Sequence, residues 1–448
     1  MTTTQQPKEQ VLIRYGGVAA AKREREQLLA SMMNPEGKPE ALEGVVVLDA
    51  SYANFAGIIA ASFFAEFGAE VIKIEPPEGD PARKMTPFGV TVDGVGIPFL
   101  MEARNKRYFT LDLRTQEGRK DLVKLAKKAD IIIETFPAGQ MDSWGIGYRQ
   151  LSQLNPRLIY IAITPYGQYG KRAEEFARMP DSDITAQAAS GLAAIVGDPE
   201  SSTEPYNWPT RTGTWMAWYM SGTQAAMGGA LALLFRELSG EGQMIDIATA
   251  DSYANLAQYP VIAGNTWRKA RPRLGRYDFS MCPYGIFKTK DGFVAIAAGR
   301  DNDFRALLKI LNLFKREVEE EFKTISDRIT DNLPRIDQLT EILESATTKH
   351  TSDELVTKTI NYSLKTVRSK LSGGGIPFVM KVESPSTAMK NLHWYVRKSF
   401  QQVDDPKLGK FVLPVNFAKM SETPPRVKWV SYEIGKDNDY IRQKYLSE

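Results

Sequence analysis

Short apolar runs alternate with helical stretches through the first half of the chain. VVVLDA, from Val45 to Ala50, is a continuous apolar strand ending in an aspartate; Gly57 to Phe67 carries a helix, and AEVIKIE, from Ala69 to Glu75, is a second strand, completing one βαβ unit. YFTLDL (Tyr108 to Leu113), a charged helix from Gln116 to Lys128, IIIET (Ile131 to Thr135) and LIYIAIT (Leu158 to Thr164) continue the alternation. Short apolar strands separated by helices predict an α/β fold with a parallel sheet covered on both faces.

The second half changes character. GEGQMIDIATADS supplies a turn, a strand and the start of a helix, after which TWRKARPRLGRYDFS is basic and rich in turn formers. YGIFKTKDGFVAIAA then reads as a hairpin turning at Lys290-Asp291-Gly292, and a second, smaller α+β domain is placed here. The expected layout is an N-terminal extension over 1–41, the large domain over 42–240, a linker over 241–275, the small domain over 276–385 and a C-terminal segment over 386–448 that returns to the large domain. Within the extension, EQVLIRYGGVAAAKREREQLLASMM is read as a short amphipathic helix. Thr212 to Phe235 has no charge and could span a bilayer, but Ser221, Thr223 and Gln224 at its centre and Gly222, Gly228 and Gly229 beside them favour a buried helix packed through small residues.

Composition narrows the chemistry. The 448 residues carry 57 basic and 54 acidic side chains, no nucleic-acid footprint, and 43% apolar residues, the balance of a folded globular protein. One cysteine, Cys282, and two distant histidines, His350 and His393, leave no zinc motif and no internal disulfide, and with an N-terminus lacking a secretion core they suggest a reducing cytoplasm. The first βαβ unit lacks the glycine fingerprint of a dinucleotide site, since SYANFAG holds a single glycine. No phosphate-binding loop, nucleophile elbow or H-E-x-x-H occurs.

Longer segments carry a more specific signal. LEGVVVLDASYANFAGIIAASFFAEFGAEVIKIEPPEGDPAR, RNKRYFTLDLRTQEGRKDL, KKADIIIETFPAG, LNPRLIYIAITPYGQYG, DITAQAASGL and ALALLFRELSGEGQMIDIA, in this order, resemble the class III CoA-transferase family from about residue 42 to 300. The resemblance implies that the large domain is Rossmann-like, an interlocked dimer in which each chain threads the other, and acyl-CoA as a substrate with no tightly bound cofactor. By position it implies that Arg83, Asn105, Lys106 and Arg107 approach CoA, against the alternative of cations flanking strands. Tyr52 and Asn54 fall in the loop that borders the active site in relatives, a loop one residue longer here.

The family's catalytic aspartate attacks the acyl-CoA to form a mixed anhydride and then an aspartyl thioester. It stands four residues before a glycine and eighteen before the arginine of R-x-x-x-G-x-G-Q; Gly222 and Arg236 both point to position 218, which is Trp218. No Asp or Glu lies between Glu204 and Glu237. Asp183 is the fallback carboxylate, with Asp181 weaker, although Asp183 also suits a helix cap accepting backbone N–H groups. The racemase branch of the family needs a histidine and an aspartate where Ser182 and Trp218 stand. The resemblance therefore implies a non-catalytic subunit working with a paralogous catalytic partner, similar to the branch that moves CoA from succinyl-CoA to the organic acid (R)-benzylsuccinate in anaerobic toluene degradation. An active homodimer using Asp183, or a CoA-binding scaffold, are the alternatives.

Overall fold

The computed structural model describes the chain except for residues 1–17, 201, 204–206, 270, 279, 330–332, 370–374, 406–408, 417 and 448. Six parallel strands form the main sheet: β1 (Val46–Ala50), β2 (Glu70–Glu75), β3 (Lys106–Thr110), β4 (Ile131–Glu134), β5 (Ile159–Thr164) and β6 (Met244–Ala248). Their order is β3-β2-β1-β4-β5-β6, so the chain runs outward from β1 to one edge and then returns to build the other half from β4. Neighbouring residues of each strand serve opposite faces. Val47, Val71, Ile131 and Ile161 pack on one side with Phe55, Phe64, Ala225 and Leu233, while Leu48, Ile72, Ile132 and Tyr160 pack on the other with Leu122, Leu125, Ile441 and Tyr445. This two-sided burial is why the strands are mostly apolar, and why the charged residues they do carry, such as Asp49, Lys73 and Lys106, are buried and paired with one another.

The strands begin a residue or two from where the pattern puts them, most visibly β3, which starts at Lys106 because buried pairing draws its polar head into the sheet. The N-terminal helix α1 (Val18–Met32) forms, yet residues 23–32 bury no face, so the expected amphipathic packing is not seen there; residues 9–17 lie outside the described part. Helix α2 (Phe55–Glu66) follows β1 and is capped by Asn54, whose side chain accepts from the Ala56 N–H. Helix α3 is Gln116–Lys128, with Thr115 as its cap. The charge-free stretch becomes α5 (Met216–Ser239), after α4 (Asp183–Ala189). A Cβ at Gly222 would lie 2.6 Å from the Ala56 carbonyl oxygen, so α5 and α2 approach to a distance that only glycine permits. Among the described residues no helix is long and apolar enough to cross a membrane.

Two compact units emerge: one from the described residues of Met1–Ser190, Thr214–Leu256 and Asn391–Glu448, the other from Gly191–Gly213 and Ala257–Lys390. The first contains the parallel sheet. The second is built on a three-stranded antiparallel sheet, β7 (Tyr284–Lys288), β8 (Phe293–Ala297) and β9 (Phe378–Lys381), in the order β9-β8-β7. The turn between β7 and β8 lies at the expected hairpin, and Phe287, Val294, Ile296, Phe304, Leu339 and Leu343 form the core beneath it.

Candidate active site

Position 218 lies in the first turn of α5. Its indole is 6% exposed, with ring centroids 5.9 Å from Phe55 and 5.5 Å from Trp215. The indole N–H donates to Asp181 Oδ2 at 3.1 Å. The same oxygen accepts from Asn54 Nδ2 and Thr249 Oγ1, both at 2.8 Å. Thr249 opens the short helix α6 (Thr249–Ala254) directly after β6. Burial raises the Asp181 pKa, and the three donors offset part of that rise.

Asp183 has a different task from the one its position suggests. Its own helix α4 is preceded by Ser182, which makes no side-chain cap, and Asp183 sits inside the first turn. Its Oδ1 instead accepts the N–H groups of Ala217 (2.8 Å) and Trp218 (3.2 Å), while Oδ2 accepts Gln187 Nε2 at 2.6 Å. Asp183 therefore caps the neighbouring helix α5, placing negative charge at its amino terminus. Sequence spacing could not show this, because the partners lie more than thirty residues away.

Of the four residues assigned to CoA by position, Arg83 and Lys106 belong to buried ion pairs, Asn105 bonds backbone groups and Arg107 lies in a half-exposed ion pair. Arg83 forms a bidentate pair with Glu75 (2.7 and 2.6 Å), donates to the Tyr432 carbonyl, and stacks over Phe99. Lys106 bonds the Ile58 carbonyl at 2.7 Å and Asp49 at 3.3 Å. Burial alone would raise the Asp49 pKa, but Lys73 and Lys106 hold it below the ordinary carboxylate range; for Lys106, burial prevails and its pKa is lowered. Lys73 also pairs with Asp80 at 2.9 Å, and Asp80 Oδ1 accepts the N–H of Ala53, a residue in left-handed conformation at φ 55°. The network thus fixes the loop after β1. Asn105 ties the Ala65 and Arg426 carbonyls to the Lys428 N–H, docking the C-terminal PPRVKWV segment. Arg107, 30% exposed at its side chain, pairs with Glu70 and Asp437, both at 3.0 Å.

A separate crevice opens beyond the carboxyl ends of β1 to β4. Its volume is about 260 Å³, and its walls include Tyr52, Leu111, Leu113, Arg114, Phe136 and Trp144. Tyr52 and Phe136 lie parallel, 5.9 Å apart with an 11° interplanar angle. Arg114 reaches Asp112 at 2.7 Å and Glu78 at 2.8 Å on the surface. The chain after β1 leads to one half of the sheet and the chain after β4 to the other, so the crevice lies at the switch point, the place where open α/β sheets bind ligands. Sequence reasoning passed over Arg114 and Phe136; the signal was available, since each follows the end of a strand in the first half of the alternation.

The fold and these sites define a Rossmann-type α/β chain with a ligand crevice at its switch point and an aromatic plug on the neighbouring helix. The family model for CoA-transferase family III matches residues 42–438, and the chain belongs to this family. It is 31% identical over 416 residues to the succinyl-CoA–L-malate CoA-transferase beta subunit of Chloroflexus aurantiacus, covering 90% of this chain and 94% of that one. Succinyl-CoA–D-citramalate CoA-transferase of the same organism is 29% identical over 91% of this chain and 95% of its own length. A CaiB/BaiF family protein from Brucella suis has a similar structure, with a TM-score of 0.75, 25% identity, and coverage of 91% and 100% of the two chains. The chain is thus of the CoA-transferase type, with acyl-CoA as substrate and no tightly bound cofactor.

Proposed function

We propose that this chain is the non-catalytic subunit of a hetero-oligomeric CoA-transferase that moves CoA from succinyl-CoA to a dicarboxylic acid, (R)-benzylsuccinate, in anaerobic toluene degradation. The observation that carries the reading is Trp218: a buried indole occupies the position of the attacking carboxylate, and no acidic residue lies nearby in α5. A paralogous partner supplies the aspartate. Similarity to relatives named as alpha and beta subunits supports a two-subunit enzyme. Their names also pair succinyl-CoA with small dicarboxylates, and benzylsuccinate is a dicarboxylate enlarged by an aromatic ring. An exposed apolar stripe on α5, Met227, Leu231, Leu234 and Leu238 at helical spacing, supports a protein partner in an interlocked dimer.

In this reading the nucleotide end of CoA enters the crevice between β1 and β4, stacks against Phe136 and meets Arg114 at a phosphate. Arg83 and Lys106 support that crevice through the loops after β2 and β1, while Asn105 and Arg107 hold the C-terminal segment. The test is to purify the chain alone and with its paralogue and to assay transfer from succinyl-CoA to (R)-benzylsuccinate, L-malate and succinate. Activity only in the mixture, highest with benzylsuccinate, is expected. Turnover by the chain alone comparable with the mixture overturns the subunit reading, and a preference for malate overturns the acceptor.

A further inference from the structure

We propose that Asp181 is a positioning residue whose carboxylate holds Trp218 across the place where relatives carry the attacking carboxylate, closing this chain's own site to the thioester of an acyl-CoA. The inference rests on the proposed reading of position 218 and adds the device that keeps the site shut. Three side chains from three elements converge on one oxygen: the Trp218 indole at the start of α5, Asn54 at the cap of α2 and Thr249 at the head of α6. The other oxygen, Oδ1, is buried and meets no side-chain donor among the described residues, so the side chains that orient the carboxylate are those on Oδ2. A buried indole N–H needs an acceptor, and Asp181 is the acceptor it has. Phe55 and Trp215 flank the ring by tilted and edge contacts, so the hydrogen bond to Asp181 is the polar contact that sets where the indole N–H points.

The arrangement also argues against Asp181 as a displaced nucleophile. Oδ2 is saturated with donors and Oδ1 is shut off from solvent, so neither oxygen faces an incoming substrate. What the carboxylate does is fix the plug.

The test reads the indole directly. In the assembled complex labelled at tryptophan, the Trp218 N–H signal, one of seven, is assigned by its loss in Trp218→Phe. Its hydrogen exchange is expected to quicken about tenfold in Asp181→Ala, the loss of one charge-assisted hydrogen bond, and to stay near the wild-type rate in Asp181→Asn, which keeps an acceptor oxygen. Unchanged exchange in a folded Asp181→Ala protein overturns the proposal. A second arm needs no Asp181 variant to fold: Trp218→Phe keeps a ring but lacks the N–H, and should strengthen binding of a thioether analogue of succinyl-CoA relative to CoA about fivefold. Asp181→Ala should add nothing to that binding in the Trp218→Phe background, because the contact between the carboxylate and the indole is already gone. Equal binding by Trp218→Phe and wild type, or additive effects, overturns it too. Turnover by the chain without its partner would defeat the proposed function while leaving the exchange result standing.

Discussion

Two regions around the parallel sheet are built in opposite ways. The crevice past β1 to β4 is open and aromatic and has a surface cation, Arg114, at its edge, whereas the neighbourhood of Trp218 is filled by three aromatic rings and a carboxylate whose Oδ2 takes three donors. A protein that had merely lost its nucleophile would show an empty cavity at position 218. A protein with no further use for CoA would have no reason to keep the crevice. The combination fits a subunit that retains the scaffold and cedes the chemistry, and each prediction below tests one side of that contrast.

The largest effect is expected away from this chain. Replacing the aspartate of the paralogue at the corresponding position by asparagine should lower turnover of the complex a thousandfold or more, about 4 kcal/mol in transition-state stabilisation. Trp218→Asp in this chain should not restore it, because the new carboxylate would stand among Phe55, Trp215 and Asp181. Recovery of activity by Trp218→Asp, measured with the inactive partner, would show that the site is intact apart from one residue.

Next comes the plug. Trp218→Ala removes a buried indole and its hydrogen bond and should cost about 3–5 kcal/mol of stability, read from denaturant midpoints. A loss below about 1 kcal/mol would mean that the surrounding helices collapse into the space, and the contrast between a filled and an open end would weaken.

How far the sequence reaches also differs between the two ends. The strands of the sheet are legible because two-sided burial makes most of their positions apolar, and the replacement at 218 is legible because Gly222 and Arg236 fix the frame. The partners of Trp218, Asp183 and Lys106 are not, since each contact joins segments separated by tens of residues and is set by how helices cross. Charged residues flanking strands, such as Arg83 and Lys106, look like ligand contacts in one dimension and prove to be halves of buried ion pairs in three.

Glu134 sharpens the crevice side. It ends β4, accepts the Phe136 N–H at 2.7 Å, and burial pushes its pKa from 4.5 up to about 8. A carboxyl whose folded pKa is raised contributes its stabilising neutral form in full below its unfolded value and loses that contribution as pH climbs toward 8. Glu134→Gln keeps an acceptor for Phe136 without the charge, so the variant should gain on wild type between about pH 4.5 and 8 and stay ahead above it by a few kcal/mol. Parallel stability curves for the two proteins across that range would show that Glu134 does not titrate there.

Arg114 should matter less. Arg114→Ala, exposed and remote from the core, is expected to leave the melting temperature unchanged and weaken CoA binding by this chain about tenfold, the value of one charge-assisted phosphate contact. Titration calorimetry with CoA and with dephospho-CoA would locate the contact, and unaltered affinity for both would move CoA out of the crevice.

The smallest effect is the one that separates the two carboxylates. Asp183→Asn leaves an amide oxygen to accept the Ala217 and Trp218 N–H groups, and the Gln187 amide can turn to offer its oxygen to the new NH₂. What disappears is a negative charge at the amino terminus of α5, worth about 0.3–1 kcal/mol. Turnover of the complex should therefore stay within about twofold of wild type, with only a small fall in the melting temperature. If Asp183 were the nucleophile, the same substitution would remove the attacking oxygen and abolish the covalent step while the fold survived. A fall of a thousandfold with an unchanged melting curve would make this chain the catalytic one, and the filled end of the comparison would then be the working end.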